Sequence, residues 1–80
     1  MRGPMPWSRK LPSPIALKDG RTLATLADAR ALVLSLATSR QRDEDWFYAM
    51  GLMREAAVLD GPIGITASQL IRALKAEGLI

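Results

Sequence analysis

The sequence predicts an α+β domain in which one β-hairpin packs on a small three-helix unit. Three observations carry that prediction: an Asp19-Gly20 pair between short apolar runs, three later segments whose apolar residues recur every three or four positions, and between them a polar stretch at 39–42 and a breaker-rich one at 60–64. With 80 residues, 49% of them hydrophobic and 24% charged, the chain has the size and composition of one soluble globular domain.

The sequence contains neither cysteine nor histidine. Disulfide frameworks, thiolate nucleophiles, imidazole bases and Cys/His zinc sites are thereby excluded. No catalytic residue, cofactor or metal is expected, and the chain is read as a non-enzyme. The net charge of +3 is unevenly placed: residues 1–21 hold five basic side chains against Asp19, whereas residues 22–80 hold six basic and seven acidic ones. A near-neutral body with a basic beginning is not the broadly basic surface usual in a nucleic-acid-binding domain.

Four of the five prolines also fall in that beginning, at Pro4, Pro6, Pro12 and Pro14. Each fixes its own φ and restricts the residue before it, so helix is not expected before Ile15. Residues 1–13 are read as a flexible basic arm, extended or disordered, and 14–80 as the domain. Trp7 either folds back over a hydrophobic edge, the favoured reading, or binds a partner or a base.

The hairpin is placed at 15–24. A two-residue turn at Asp19-Gly20 pairs Leu17 with Thr22, whereas a three-residue loop with Gly20 left-handed pairs Ile15 with Leu23. The second register gathers Ile15, Leu17 and Leu23 on one face and is preferred, since a slip of one residue scatters them between core and water. A lone two-stranded hairpin is marginal, so it must lie on something apolar.

The first helix is expected at about 26–38. Thr25 stands at the N-cap with Asp28 three residues on, a capping box in which aspartate replaces glutamate. Leu26, Ala29, Leu32, Val33, Leu36 and Ala37 form its stripe, with Leu34 off it. Leu34 fits either a helix sandwiched between the hairpin and another element or a homodimer seam. The triplet Asp43-Glu44-Asp45 is read as the start of the second helix, where carboxylates suit the positive end of the macrodipole, rather than as a metal site.

That second helix, about 45–59, carries Trp46, Phe47 and Tyr48. Trp46, Ala49, Met50, Met53, Ala56 and Ala57 form a main stripe, and Tyr48, Leu52 and Leu59 a second one, which implies two neighbours; a Met- and aromatic-rich groove for a partner peptide is the functional alternative. Gly51 weakens the helix unless it permits a close crossing. After a loop at 60–64, Thr66-Ala67-Ser68-Gln69 has the pattern of a capping box and opens a third helix at about 67–77. Its Ala67, Leu70, Ile71 and Leu74 face inward, its Arg72, Lys75 and Glu77 face water, and Gly78 followed by Leu79 suits a Schellman ending.

The run Leu70-Ile71-Arg72-Ala73-Leu74-Lys75-Ala76-Glu77-Gly78-Leu79-Ile80 resembles the recognition helix and exit of winged-helix repressors, but no wing follows and the order of elements is wrong for that fold. A second resemblance spans about residues 12–80. Pro14-Ile15, Lys18-Asp19-Gly20-Arg21-Thr22-Leu23, Thr25-Leu26-Ala27-Asp28-Ala29-Arg30, Trp46, Tyr48-Ala49 and Arg72-Ala73-Leu74-Lys75-Ala76-Glu77-Gly78-Leu79 together are similar to a group of short alphaproteobacterial proteins. The resemblance implies a bacterial, cytoplasmic, stand-alone protein and brings no activity or site residue with it.

No apolar stretch approaches the roughly 20 residues of a membrane span, nor does the beginning show the apolar core of a signal peptide, so no membrane partner and a cytoplasmic location are expected. A domain this small rarely gains more than about 3–5 kcal/mol from burial, and without cysteine or metal ligands oligomerisation is the remaining staple. The leading expectation is a non-catalytic protein-interaction or regulatory module, homo-oligomeric or bound to a protein partner, with Leu34, Tyr48, Leu52 and Leu59 as its surface. The alternative is a nucleic-acid-binding protein with Arg2, Arg9, Lys10, Arg72 and Lys75 as phosphate contacts.

Overall fold

The computed structural model describes residues 6–36 and 43–80. They form a 3-10 turn (Pro6–Ser8), strands β1 (Lys10–Ala16) and β2 (Thr22–Thr25), and helices α1 (Leu26–Ser35), α2 (Glu44–Val58) and α3 (Ile63–Glu77). The fold is α+β, a two-stranded antiparallel hairpin packed with three helices.

Ile15 pairs with Leu23 and Ala16 with Thr22, the register that puts Ile15, Leu17 and Leu23 in the core together. The Leu17 N–H donates to the Arg21 carbonyl at 2.8 Å and the Gly20 N–H to the Leu17 carbonyl at 3.1 Å. Lys18-Asp19-Gly20 is therefore a three-residue loop, and Gly20 takes φ +95°, where a Cβ would strain the chain.

β1 begins earlier than the expected hairpin. Lys10 pairs with Thr25, so residues 11–14 stand against Ala24 alone in an enlarged bulge that holds Pro12 and Pro14. Proline has no N–H to give a ladder, and a bulge is where a strand tolerates it. Leu11 is buried from within this bulge. Residues 6–13 consequently belong to the packed body rather than to a flexible arm. Trp7 is half-buried against the core with the Arg30 guanidinium 5.0 Å from its ring centroid, and the Arg9 carbonyl accepts from the Leu26 N–H at 2.9 Å. The prolines exclude helix here, but not a bulged strand. Residues 1–5, including Arg2, lie outside the described residues.

The capping box of α1 is present. Thr25 Oγ1 accepts from the Asp28 N–H at 3.2 Å, while Asp28 Oδ2 accepts from the Thr25 and Ala24 N–H groups at 3.1 and 2.9 Å. α1 ends at Ser35, before the expected 38, because Leu36 is already extended; Ala37 lies outside the described residues. Leu26, Ala29, Leu32 and Val33 are buried, and this one stripe meets β2, α2 and the 3-10 turn.

α2 and α3 make the broadest helix contact. α3 starts at Ile63 rather than 67, with Pro62 at its N-cap in extended backbone, a place where the missing proline N–H costs the helix no hydrogen bond. Thr66 is therefore not a cap. It is buried in the second turn, where its hydroxyl donates to the Pro62 carbonyl at 2.8 Å and lies 3.3 Å from the Leu52 carbonyl of α2. Gln69 Nε2 donates to the Asp45 carbonyl at 3.1 Å, and Trp46 Nε1 to Glu77 Oε1 at 3.2 Å, which draws Glu77 partly out of water. Leu70, Ala73 and Leu74 complete the core. At the helix end Gly78 is left-handed at φ +78°, and the Leu79 N–H donates to the Leu74 carbonyl at 2.9 Å, the long bond of a Schellman ending. The Leu79 carbonyl in turn accepts from the Lys18 N–H at 2.8 Å, tying the hairpin loop to α3.

Candidate functional site

The face of α2 turned away from the core holds four of the large apolar side chains that the fold leaves exposed: Phe47 and Leu59 at 74%, and Tyr48 and Val58 at 59%. Phe47, Gly51, Arg54 and Val58 lie at helical spacing along one line, and Tyr48, Glu55 and Leu59 along the next, so the whole strip spans about 140°, nearly two-fifths of the helix circumference. Scattered exposed leucines are ordinary on a small protein, but two pairs of large apolar side chains on one helix face are not scattered. The strip has apolar ends and a polar middle, with Arg54 and Glu55 adjacent in sequence and both exposed.

Gly51 is the low point of the surface. One shallow depression of about 430 Å³ runs between Gly51, Arg54, Glu55, Val58 and Leu59; a smaller one of about 140 Å³ runs between Phe47, Tyr48, Gly51, Leu52 and Glu55. A Cβ built on Gly51 meets nothing within 4 Å, so the chain's own packing does not require glycine there. The expected reason for Gly51, a close crossing within the fold, is absent.

Of the residues expected at an interaction surface, Tyr48 and Leu59 lie on this face and Leu34 is exposed separately on α1. Leu52 does not belong to it. It is 9% exposed and gives only an edge to the smaller depression, so the expected second stripe of α2 divides between buried and exposed residues. Phe47 and Val58 were not singled out by the sequence reading. The spacing that would have found them is the line 47, 51, 54, 58, which glycine and arginine interrupt and so hide from a search for continuous hydrophobicity.

The candidate phosphate contacts do not converge on one described surface feature. Arg9 Nη1 donates to the Ala56 and Gly61 carbonyls at 3.0 and 2.8 Å and lies 3.3 Å from Asp60 Oδ1, closing the C-terminal end of α2. Lys10 is exposed on β1, Lys75 is exposed in the last turn of α3, and Arg72 Nε is 4.0 Å from Asp45 Oδ1. Two carboxylates titrate below the usual range. Asp19 is lowered first by the Arg21 N–H, which donates at 2.9 Å, and by the Arg21 guanidinium at 2.7 Å. Asp28 is lowered by the Ala24 and Thr25 N–H groups. Both serve local structure, a turn and a helix cap.

Among the described residues no group of three or more carboxylates gathers as metal ligands, Asp43-Glu44-Asp45 included, and no helix is long and apolar enough to cross a membrane. A further apolar depression of about 410 Å³ lies between the β1 bulge and α3, but its larger walls, Ile71 and Ile80, are half-buried against the core. Comparison with protein-family models, with curated proteins and with solved structures finds no match for the chain.

Proposed function

We propose that this chain is a non-catalytic protein-interaction module that binds a protein partner through the exposed face of α2, in the cytoplasm that the alphaproteobacterial resemblance implies. One observation carries the reading: Phe47, Tyr48 and Val58 of α2, with Leu59 at its C-cap, lie exposed on one face while the opposite side of the helix is buried in the core. Covering such aromatic and aliphatic side chains is what interface cores do, and anchors of this kind dominate binding energy. The nucleic-acid reading draws less support, because Arg9 spends its guanidinium on backbone carbonyls.

The test is site-specific photo-cross-linking in expressing cells. Phe47→benzoylphenylalanine and Leu59→benzoylphenylalanine chains are expected to give discrete cross-linked adducts, while Ala76→benzoylphenylalanine, on the exposed side of α3, gives none. Equal labelling from all three positions, or from none, would remove the α2 face as the binding surface.

A further inference from the structure

We infer that the partner segment covering the α2 face is basic and amphipathic, with apolar side chains on Val58, Leu59 and the low point at Gly51 and a lysine or arginine against Phe47 and Tyr48; this rests on the reading of that face as the binding surface. Charge carries the inference. Residues 43–60, which are α2 and its two flanks, hold Asp43, Glu44, Asp45, Glu55 and Asp60 against Arg54 alone, a net −4, whereas the rest of the chain holds ten basic side chains against three acidic ones, a net +7. The exposed aromatic and aliphatic residues therefore lie on the acidic segment of a basic chain.

The uncompensated charge is next to the aromatic rings. Arg72 Nε is 4.0 Å from Asp45 Oδ1, Arg9 Nη1 is 3.3 Å from Asp60 Oδ1, and Arg54 adjoins Glu55 in sequence, so three of the five carboxylates have a cation of the chain's own nearby. Asp43 and Glu44 make no ion pair among the described residues, and the Asp43 side chain makes no cap bond although it stands at the N-cap. Glu44 precedes Phe47 by three residues and Tyr48 by four, which places its carboxylate on the same side of the helix as both rings. A depression of about 410 Å³ opens there, bordered by Glu44, Asp45, Phe47 and Tyr48 of α2 and by Gln69 and Arg72 of α3. A cation over an aromatic ring is attracted by the negative face of the ring, and an adjacent carboxylate adds to that attraction. The fold uses the same contact internally, where Arg30 lies over Trp7.

The other occupants are disfavoured by the same charge. Nucleic acid or an anionic lipid surface would bring phosphates to a segment of net −4, and a second copy would bring the same carboxylates. A neutral apolar segment would cover Glu44 without pairing it.

The test is selection of phage-displayed random peptides of about 15 residues on the immobilised full chain, a length that spans the roughly 22 Å of α2 either as a helix or as a shorter extended stretch. Binders to a Phe47→Ala/Leu59→Ala chain are removed beforehand, which discards peptides that recognise the basic remainder. Retained peptides are expected to carry a net charge of about +2 or more together with aromatic or aliphatic residues. Fluorescence anisotropy of one such synthetic peptide at about 50 mM salt is expected to show binding about threefold or more weaker to Glu44→Lys and about twofold or more tighter to Arg54→Glu, both shifts shrinking near 500 mM salt. Because the two substitutions act in opposite directions, damage to the fold cannot produce the pattern. Retained peptides that are neutral or acidic, or an affinity indifferent to both charge reversals, overturn the basic partner and leave the binding surface standing. If no peptide is retained, the basic segment is overturned too, and cross-linking from Phe47 and Leu59 in cells decides the surface by itself; silence there removes both.

Discussion

Replacing Arg9 with methionine tests whether the start of the described chain is an arm or a structural brace. The side chain makes two hydrogen bonds, to the Ala56 and Gly61 carbonyls at 3.0 and 2.8 Å, and an ion pair to Asp60 at 3.3 Å. Hydrogen bonds to a charged group contribute about 1.5–3 kcal/mol each. Arg9 keeps 32% of its side chain in solvent and Asp60 92%, so the lower end applies to the bonds and the ion pair adds about 0–1 kcal/mol. Methionine keeps the apolar stem and removes both bonds and the ion pair, for an expected loss of about 3–4 kcal/mol. In a domain of this size each kcal/mol moves the midpoint by about 4–8 °C, so the midpoint of thermal unfolding followed by circular dichroism should fall by roughly 12–30 °C. Arg9→Lys keeps the charge but not the planar, pre-organised guanidinium whose Nη1 meets both acceptors, and is expected to lie between. A midpoint lowered by less than about 4 °C in Arg9→Met, the equivalent of 1 kcal/mol or less, would refute the brace and return residues 6–13 to an arm.

Two further outcomes follow from the local geometry. Gly51→Ala places a methyl where the chain has open space and should stabilise the fold by about 0.5–1 kcal/mol in urea unfolding; a destabilised chain would contradict the open space. The Asp28 carboxylate accepts two backbone N–H bonds at the α1 cap and titrates below the ordinary range. Its folded pKa is the lower one, so its contribution is complete above the unfolded pKa of about 4 and is lost as pH falls through the folded value. Asp28→Asn should therefore be less stable at neutral pH and lose less on acidification below about pH 4 than the parent chain; parallel pH–stability curves would count against the cap.

The parts of the fold that were legible in advance are those where one local rule had no competitor. Gly20 permits a turn that most residues resist, and the need to keep Ile15, Leu17 and Leu23 on one face then leaves one register. Thr25 with Asp28 and Gly78 with Leu79 mark helix ends by the same kind of local chemistry. The misses occurred where two rules compete for one residue. Thr66 and Gln69 have the spacing of a capping box, yet in the fold they bond to Pro62, Leu52 and Asp45, and a tertiary use of a polar side chain is invisible to a pattern of neighbours. Pro12 and Pro14 argue against regular structure, but a bulge absorbs both while Leu11 between Lys10 and Pro12 is still buried. Of the candidate site, Tyr48 and Leu59 were legible as off-stripe apolar residues. Leu52 was grouped with them because periodicity alone cannot say how far round a helix its neighbours reach, and Phe47 and Val58 were hidden by the glycine and arginine between them.

The bonds that hold the hairpin in place join residues far apart in the chain: Arg9 to Ala56 and Gly61, and Lys18 to Leu79. During synthesis, at about 5–20 residues per second, the partners of β1 are made roughly 3–10 s after β1 itself. For that interval Leu11, Ile15, Leu17 and Leu23 have no α2 or α3 to cover them. The hairpin is thus made before any of the three helices and is among the last parts to be secured. Pro12 and Pro14, which lack the N–H groups a neighbouring strand would bind, sit where a waiting strand is most exposed to wrong pairing.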